Sequence, residues 1–163
     1  MKNKGVTLIE ILIYTFLVGL TVSLIIGIMS NFLFVRGIYI TRGEVSRSIV
    51  YLLEDIVREI QHADKILKPA PKTSSSELLL QQNGKSLSFK LKNGTIIKEV
   101  DGKSYPLTPR TLRIKSLNFL HLQQSSEAPG SVKIKLDVEY KNPLNLREYA
   151  FSTFYETAST QRK

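Results

Sequence analysis

The sequence predicts an α+β protein: a long N-terminal helix, membrane-spanning in its first half and amphipathic in its second, packed on an antiparallel β-sheet. Three observations carry that prediction. Ile11 to Val35 is a run of 25 residues without Asp, Glu, Lys or Arg. Apolar residues then recur every three or four positions as far as Leu67. Beyond residue 77, alternating segments are separated by Asn-Gly and Asp-Gly pairs.

The first element follows from length and charge. As a helix rising about 1.5 Å per residue, the uncharged run reaches roughly 37 Å, enough to cross a hydrocarbon core of about 30 Å with some tilt. Gly19 and Gly27 would weaken a helix in water but are tolerated in lipid. A cleaved secretory signal fits poorly: the run is about twice the usual 7–15 apolar residues, and Ser30 to Arg36 offers no small-x-small cleavage site. Lys2 and Lys4 precede the span while Arg36, Arg42 and Arg47 follow it, so charge counting leaves the orientation open.

In the second element Val45, Ile49, Leu52, Ile56, Ile60, Ala63 and Leu67 form one helical stripe. Glu54 and Arg58 have the i, i+4 spacing of an ion pair on its wet side. Lys68-Pro69-Ala70-Pro71 ends the helix, because proline cannot donate a backbone hydrogen bond and disfavours a helical residue before it. Gly37 and Gly43 are the expected soft points between the two halves.

The third is a set of strands. Asn83-Gly84, Asn93-Gly94 and Asp101-Gly102 read as type I′ hairpin turns, which need positive φ at both central residues. They separate Leu78–Gln82, Leu87–Lys92, Thr95–Val100 and Lys103–Pro106 as a meander. A second set is expected at Leu117–Gln123, Val132–Tyr140 and Arg147–Tyr155, joined by loops at Ser125–Gly130 and Asn142–Asn145. The helical stripe is the cover for the sheet's apolar face.

Composition narrows the chemistry. The 163 residues carry 23 Lys and Arg against 14 Asp and Glu, a formal charge of +9, with no cysteine and two histidines. Disulfides, thiolate zinc sites and cysteine nucleophiles are excluded. Glycine-rich phosphate loops and nucleophile elbows are absent. His62 lies near Asp55, Glu59 and Asp64, but those spacings do not put three ligands on one helical face. His121 alternates with Leu120 and Leu122 and is expected on the polar face. No catalytic residue, cofactor or metal site is expected, and the chain does not read as an enzyme.

Glu10 is the anomaly, since a carboxylate at the start of an apolar span costs up to about 2.5–3.5 kcal/mol near a helix centre and so requires water or a partner. The segment Lys2-Asn3-Lys4-Gly5-Val6-Thr7-Leu8-Ile9-Glu10-Ile11-Leu12-Ile13 resembles the class III signal of type IV pilins and pseudopilins: a short basic leader ending in glycine, then a Thr-Leu-Ile-Glu start to a hydrophobic helix. The resemblance covers about 30 residues, and the order of long helix then antiparallel strands matches the family too. It implies cleavage by a prepilin peptidase between Gly5 and Val6 and N-methylation of Val6, although Val6 stands where the family usually has phenylalanine. It implies that Glu10 sets filament assembly by pairing with the amino terminus of a neighbour. In low dielectric either charge alone is expensive, so such a pair would fix register.

On this resemblance the chain divides into a leader at 1–5, a transmembrane and filament-core helix at 6–35, an amphipathic continuation at 36–68 and a pilin-like sheet domain at 69–163. Residues 52–67 look similar to the helix of minor pseudopilins of the J or W type. The implied role is a minor structural subunit of a type IV pilus, or of a type II secretion or competence pseudopilus. Implied partners are other pilins through the N-terminal helix, the peptidase, an inner-membrane assembly platform and membrane lipid. The implied location is the cytoplasmic membrane in a single pass, N-terminus in the cytoplasm. Some pseudopilins bind calcium in an acidic C-terminal loop, but Lys141 to Asn145 has no carboxylate. Removing Lys2 and Lys4 with the leader lowers the charge from +9 to +7. Lys90 and Lys92 share one strand face, as do Lys133 and Lys135. The alternative reading is therefore a membrane-anchored binding domain whose basic face contacts DNA or an envelope polymer.

Overall fold

The computed structural model describes residues 7–122 and 129–162. Gly5, Val6, Gln123 and most of the Ser125–Gly130 loop lie outside the described residues. The element order is α1 (Leu8–His62), β1 (Lys65–Lys68), β2 (Ser74–Ser75), β3 (Glu77–Gln82), β4 (Lys85–Lys92), β5 (Thr95–Val100), β6 (Lys103–Pro106), β7 (Leu112–His121), β8 (Ser131–Tyr140), a 3-10 turn (Arg147–Tyr149) and β9 (Ser152–Thr160). The fold is α+β, with a long N-terminal helix packed on antiparallel sheets. The chain divides into two compact units, Met1–Tyr39 and Ile40–Lys163.

In the first unit every described side chain from Thr7 to Arg36 is exposed. Thr15 donates to the carbonyls of Ile11 and Leu12, and Thr21 to Leu17. These bonds satisfy the hydroxyls within the helix itself. An added Cβ at Gly19 or Gly27 would meet nothing within 4 Å.

The second unit holds one core between two sheets. One sheet runs β1-β3-β4-β5-β6 and the other β2-β7-β8-β9, all pairs antiparallel. Val45, Ile49, Leu52, Ile56 and Ile60 of α1 are buried at helical spacing. They meet Leu78, Leu80, Phe89 and Ile96 of the first sheet, and Leu112, Phe119, Ile134 and Leu136 of the second. The three two-residue turns form as the sequence predicts: Asn83, Asn93 and Asp101 have φ near +50°, and the glycines after them near +76°.

Four expectations are corrected. The helix runs through Gly37 and Gly43 but stops at His62, short of residue 68. Lys65–Lys68 instead pairs with β3, Leu67 is exposed, and Ile66 packs on the core. Asp64 is the pivot: its amide donates to the Gln81 carbonyl at 2.8 Å and its carboxylate accepts from the Asn83 amide at 2.7 Å. Arg58 pairs with Asp55 at 2.5 Å rather than with Glu54. The third correction concerns β7, which begins at Leu112 and carries a bulge between Ile114 and Ser116. Leu117, Phe119 and His121 therefore share the inward face, while Leu122 is exposed. The longer in-phase apolar set decides which side faces the core, and His121 is carried in with it. Fourth, β9 spans Ser152–Thr160 because the connection from β8 is longer than its sequence suggests. The inward side chains of β9, Thr153, Tyr155, Thr157 and Ser159, are largely polar, which hides the strand from a hydrophobic pattern.

Candidate functional site

Thr7, Leu8, Ile9 and Glu10 form the entry of α1. The Thr7 hydroxyl accepts from the Glu10 amide at 3.4 Å, and the Thr7 carbonyl accepts from Glu10 and Ile11. Threonine followed three residues later by glutamate is a capping-box pattern, and a negative charge in the first turn suits the positive end of the helix dipole. Glu10 is exposed, and the Tyr14 hydroxyl donates to its Oε1 at 3.5 Å. Sequence reasoning missed Tyr14, although its i+4 spacing from Glu10 was available as a signal. The geometry leaves the Glu10 carboxylate facing outward at the first turn of an apolar helix, with one long hydroxyl contact. Gly5 and Val6, the expected cleavage and methylation positions, lie outside the described residues.

The first unit exposes one extended apolar surface. Leu8, Ile9, Phe16, Val18, Ile28 and Phe32 are each more than 60% exposed. An exposed patch of that size on a soluble surface marks contact with lipid or another chain. The helix is long and apolar enough to cross a membrane.

The strand lysines that suggested a basic face are arranged differently from a free cationic stripe. Lys90 pairs with Glu99, Lys133 with Glu156, Lys115 with Glu139 at 2.9 Å and Lys85 with Asp101 at 3.0 Å. Lys135 shares Glu156 at 3.8 Å. The hydrogen bond and charge of Glu99 hold the Lys90 ammonium above its ordinary pKa, and Glu139 does the same for Lys115. The hydrogen bond from Lys133 holds Glu156 below the usual carboxylate value. Cross-strand carboxylates thus pair Lys90, Lys133 and Lys135 of the expected basic face, while Lys92 has no ion pair among the described residues.

Asp55 and Glu59 converge on Lys98, at 3.1 and 2.8 Å, with all three side chains mostly buried. Burial opposes the Lys98 charge, but the hydrogen bonds from the ammonium to Glu59 and Asp55 outweigh it and raise its pKa. His62 is separate from this cluster: it is exposed, and its Nδ1 lies 2.8 Å from the Arg58 carbonyl. Among the described residues no three His, Asp or Glu side chains gather as a metal site. His121 is 2% exposed, and its Nδ1 lies 2.9 Å from the carbonyl oxygen of Pro69, so Nδ1 carries the proton. Its Nε2 is buried without a hydrogen-bond partner among the described residues.

Comparison with protein-family models, with curated proteins and with solved structures found no match.

Proposed function

We propose that this chain is a minor prepilin-like structural subunit, trimmed by a prepilin peptidase after Gly5, methylated at Val6 and assembled into a type IV pilus or a type II secretion or competence pseudopilus. One observation carries the reading. A single helix, Leu8–His62, leaves its first half wholly uncovered and supplies the core stripe of a sheet domain with its second. A helix with that division of labour serves as membrane anchor before assembly and as filament core after it. On this reading Glu10, exposed at the first turn, pairs with the amine of a neighbour's Val6, and low dielectric would make that pairing decisive for register. The role is mechanical, and the sheet domain presents the outer surface.

Lysine pairing across the strands weakens the particular strand face on which the DNA- or polymer-binding alternative was drawn, because Lys90, Lys133 and Lys135 there lie against carboxylates.

The test is the intact mass of the membrane-extracted protein, expressed with and without a prepilin peptidase. Loss of Met1–Gly5 with gain of one methyl group, only when the peptidase is present, is the expected result. An unchanged mass beside a processed control substrate would overturn the reading. For the assembly step, Glu10→Ala should insert in the membrane normally yet fail to enter filaments; normal incorporation would remove Glu10 from that role.

A further inference from the structure

One end of the Ile40–Lys163 unit carries four cations without an ion pair among the described residues, beside the paired Arg113 and Glu139. Arg42 lies over the Phe151 ring at 5.5 Å. Its near neighbour Glu44 accepts from the Thr111 hydroxyl at 2.7 Å, and the Thr111 carbonyl accepts from the Lys141 amide at 2.7 Å. The Tyr140 amide bonds the Phe151 carbonyl, and Tyr149 stacks on Tyr140 at 6.2 Å between centroids. Arg42, Arg110, Lys141 and the loop to Phe151 are thus held at the end where the chain enters the unit. Arg42, Arg110, Lys141 and Arg147 form no ion pair among the described residues. This contrasts with the neutralised strand lysines. An open groove of about 870 Å³ lies between Arg110, Lys141 and the Arg113–Glu139 pair.

The loop at this end has an apolar tip. The Asn142 side chain donates to the Leu146 carbonyl at 2.6 Å and accepts from the Leu146 amide at 3.0 Å, and Asn145 has φ +51°. Those bonds close Asn142–Leu146 on itself and hold Leu144 outward, 76% exposed, with Leu146 38% exposed. Two exposed leucines flanked by Lys141 and Arg147 make an amphipathic tip whose shape is set in advance. Loops are usually polar, so this pairing of apolar tip and basic flanks requires an explanation.

We propose that this loop docks on the headgroup layer of the bilayer that holds the apolar helix, with Leu144 and Leu146 entering the interface and Arg42, Arg110, Lys141 and Arg147 meeting the phosphates of anionic lipids. The proposal rests on the membrane-anchored reading. Two physical arguments select lipid as the occupant. Arg42 follows Val35, the last residue of the uncharged run, by seven positions; even fully extended, that many residues span at most about 25 Å. The patch is therefore tethered beside a lipid surface at high effective concentration. Leucine beside lysine and arginine is also the composition that the interface favours, the apolar groups reaching acyl chains and the cations the anionic surface potential.

The absence of native cysteine makes a single introduced thiol unique. The full chain is reconstituted in phosphatidylcholine vesicles with or without phosphatidylglycerol, carrying an environment-sensitive fluorophore at Leu144→Cys, Ser86→Cys or Val22→Cys. Ser86 is exposed beside the Asn83 turn, which Asp64 binds at the far end of α1, and serves as the water-facing reference. Quenching by headgroup-level lipid spin labels is compared with quenching by aqueous iodide. With phosphatidylglycerol, the probe at position 144 should be lipid-quenched and shielded from iodide. K141Q/R147Q should shift the ratio toward water by on the order of tenfold, given the attraction of each cation to an anionic surface. Iodide access at 144 equal to that at 86 would overturn the proposal. So would lipid contact that is indifferent to both phosphatidylglycerol and the two substitutions. A water-exposed probe at position 22 would instead overturn the anchored reading on which it rests.

Discussion

Gly94 is unlike the other two hairpin glycines in what surrounds it. All three have positive φ, so a side chain at any of them is strained by roughly 1–2 kcal/mol. At Gly94 a Cβ would also come within 2.9 Å of the Arg113 Cγ, and the Gly94 carbonyl accepts from the Ile114 amide. We expect Gly94→Ala to lower the urea midpoint more than Gly84→Ala or Gly102→Ala, whose Cβ would meet open space. Lys98 carries a second prediction. Its pKa is raised in the folded protein, so its contribution is complete below the unfolded value near 10.4 and is lost as pH rises through the folded one. Stability measured by urea titration should fall above pH 10.4, and Lys98→Met should make that alkaline fall shallower. At neutral pH the same substitution leaves Asp55 only its Arg58 partner and takes the Lys98 ammonium from the mostly buried Glu59, and should cost about 3 kcal/mol. His121 shows where residue-level reading fails. Its strand neighbours Leu120 and Leu122 suggested the wrong face, because one strand offers two phases and only Leu117 and Phe119, already committed inward, decide between them.

Both ends of α1 depend on partners, and their legibility differs. Its start is written in Thr7 and Glu10, three residues apart, and its inward stripe in Val45 to Ile60. Those signals are local, so they survive without a structure. Its end is decided elsewhere. Asp64 turns toward Gln81 and Asn83, and the last carbonyls are taken by residues about a hundred positions away. Gln161 Nε2 donates to the Ala63 carbonyl at 2.9 Å and the Arg162 amide to the Gln61 carbonyl at 3.0 Å. Leu67 remains in phase with the stripe by coincidence of spacing. No local pattern announces such long-range capping, which is why the helix reads too long. The hairpin turns read correctly for the opposite reason, since positive φ selects Asn-Gly and Asp-Gly locally. Gln161→Ala should free the Ala63 carbonyl and cost about 1–2 kcal/mol in urea unfolding. An unchanged midpoint would show that water replaces the bond.

The division at Tyr39–Ile40 leaves all the described buried apolar side chains in the second unit. Residues 40–163 should therefore fold without the apolar segment, giving one cooperative transition with coincident fluorescence and circular-dichroism midpoints. Non-coincident midpoints would separate the sheets energetically. Cooperativity is expected because β2, though it lies between β1 and β3 in the chain, pairs with β7 in the other sheet. The two-sheet arrangement was not legible, since a two-residue strand such as Ser74–Ser75 carries no periodicity. Glu10 was singled out through motif resemblance, while Tyr14, whose hydroxyl contacts it, was not. The placement of β9 has a consequence in time. It follows every other described element in the chain, yet it completes the second sheet, and the residues just after it close the end of α1. The helix stripe emerges from the ribosome long before its cover exists. The apolar run ahead of it emerges earlier still, and on the membrane-anchored reading proposed above it would enter lipid before the sheet domain has its last strand.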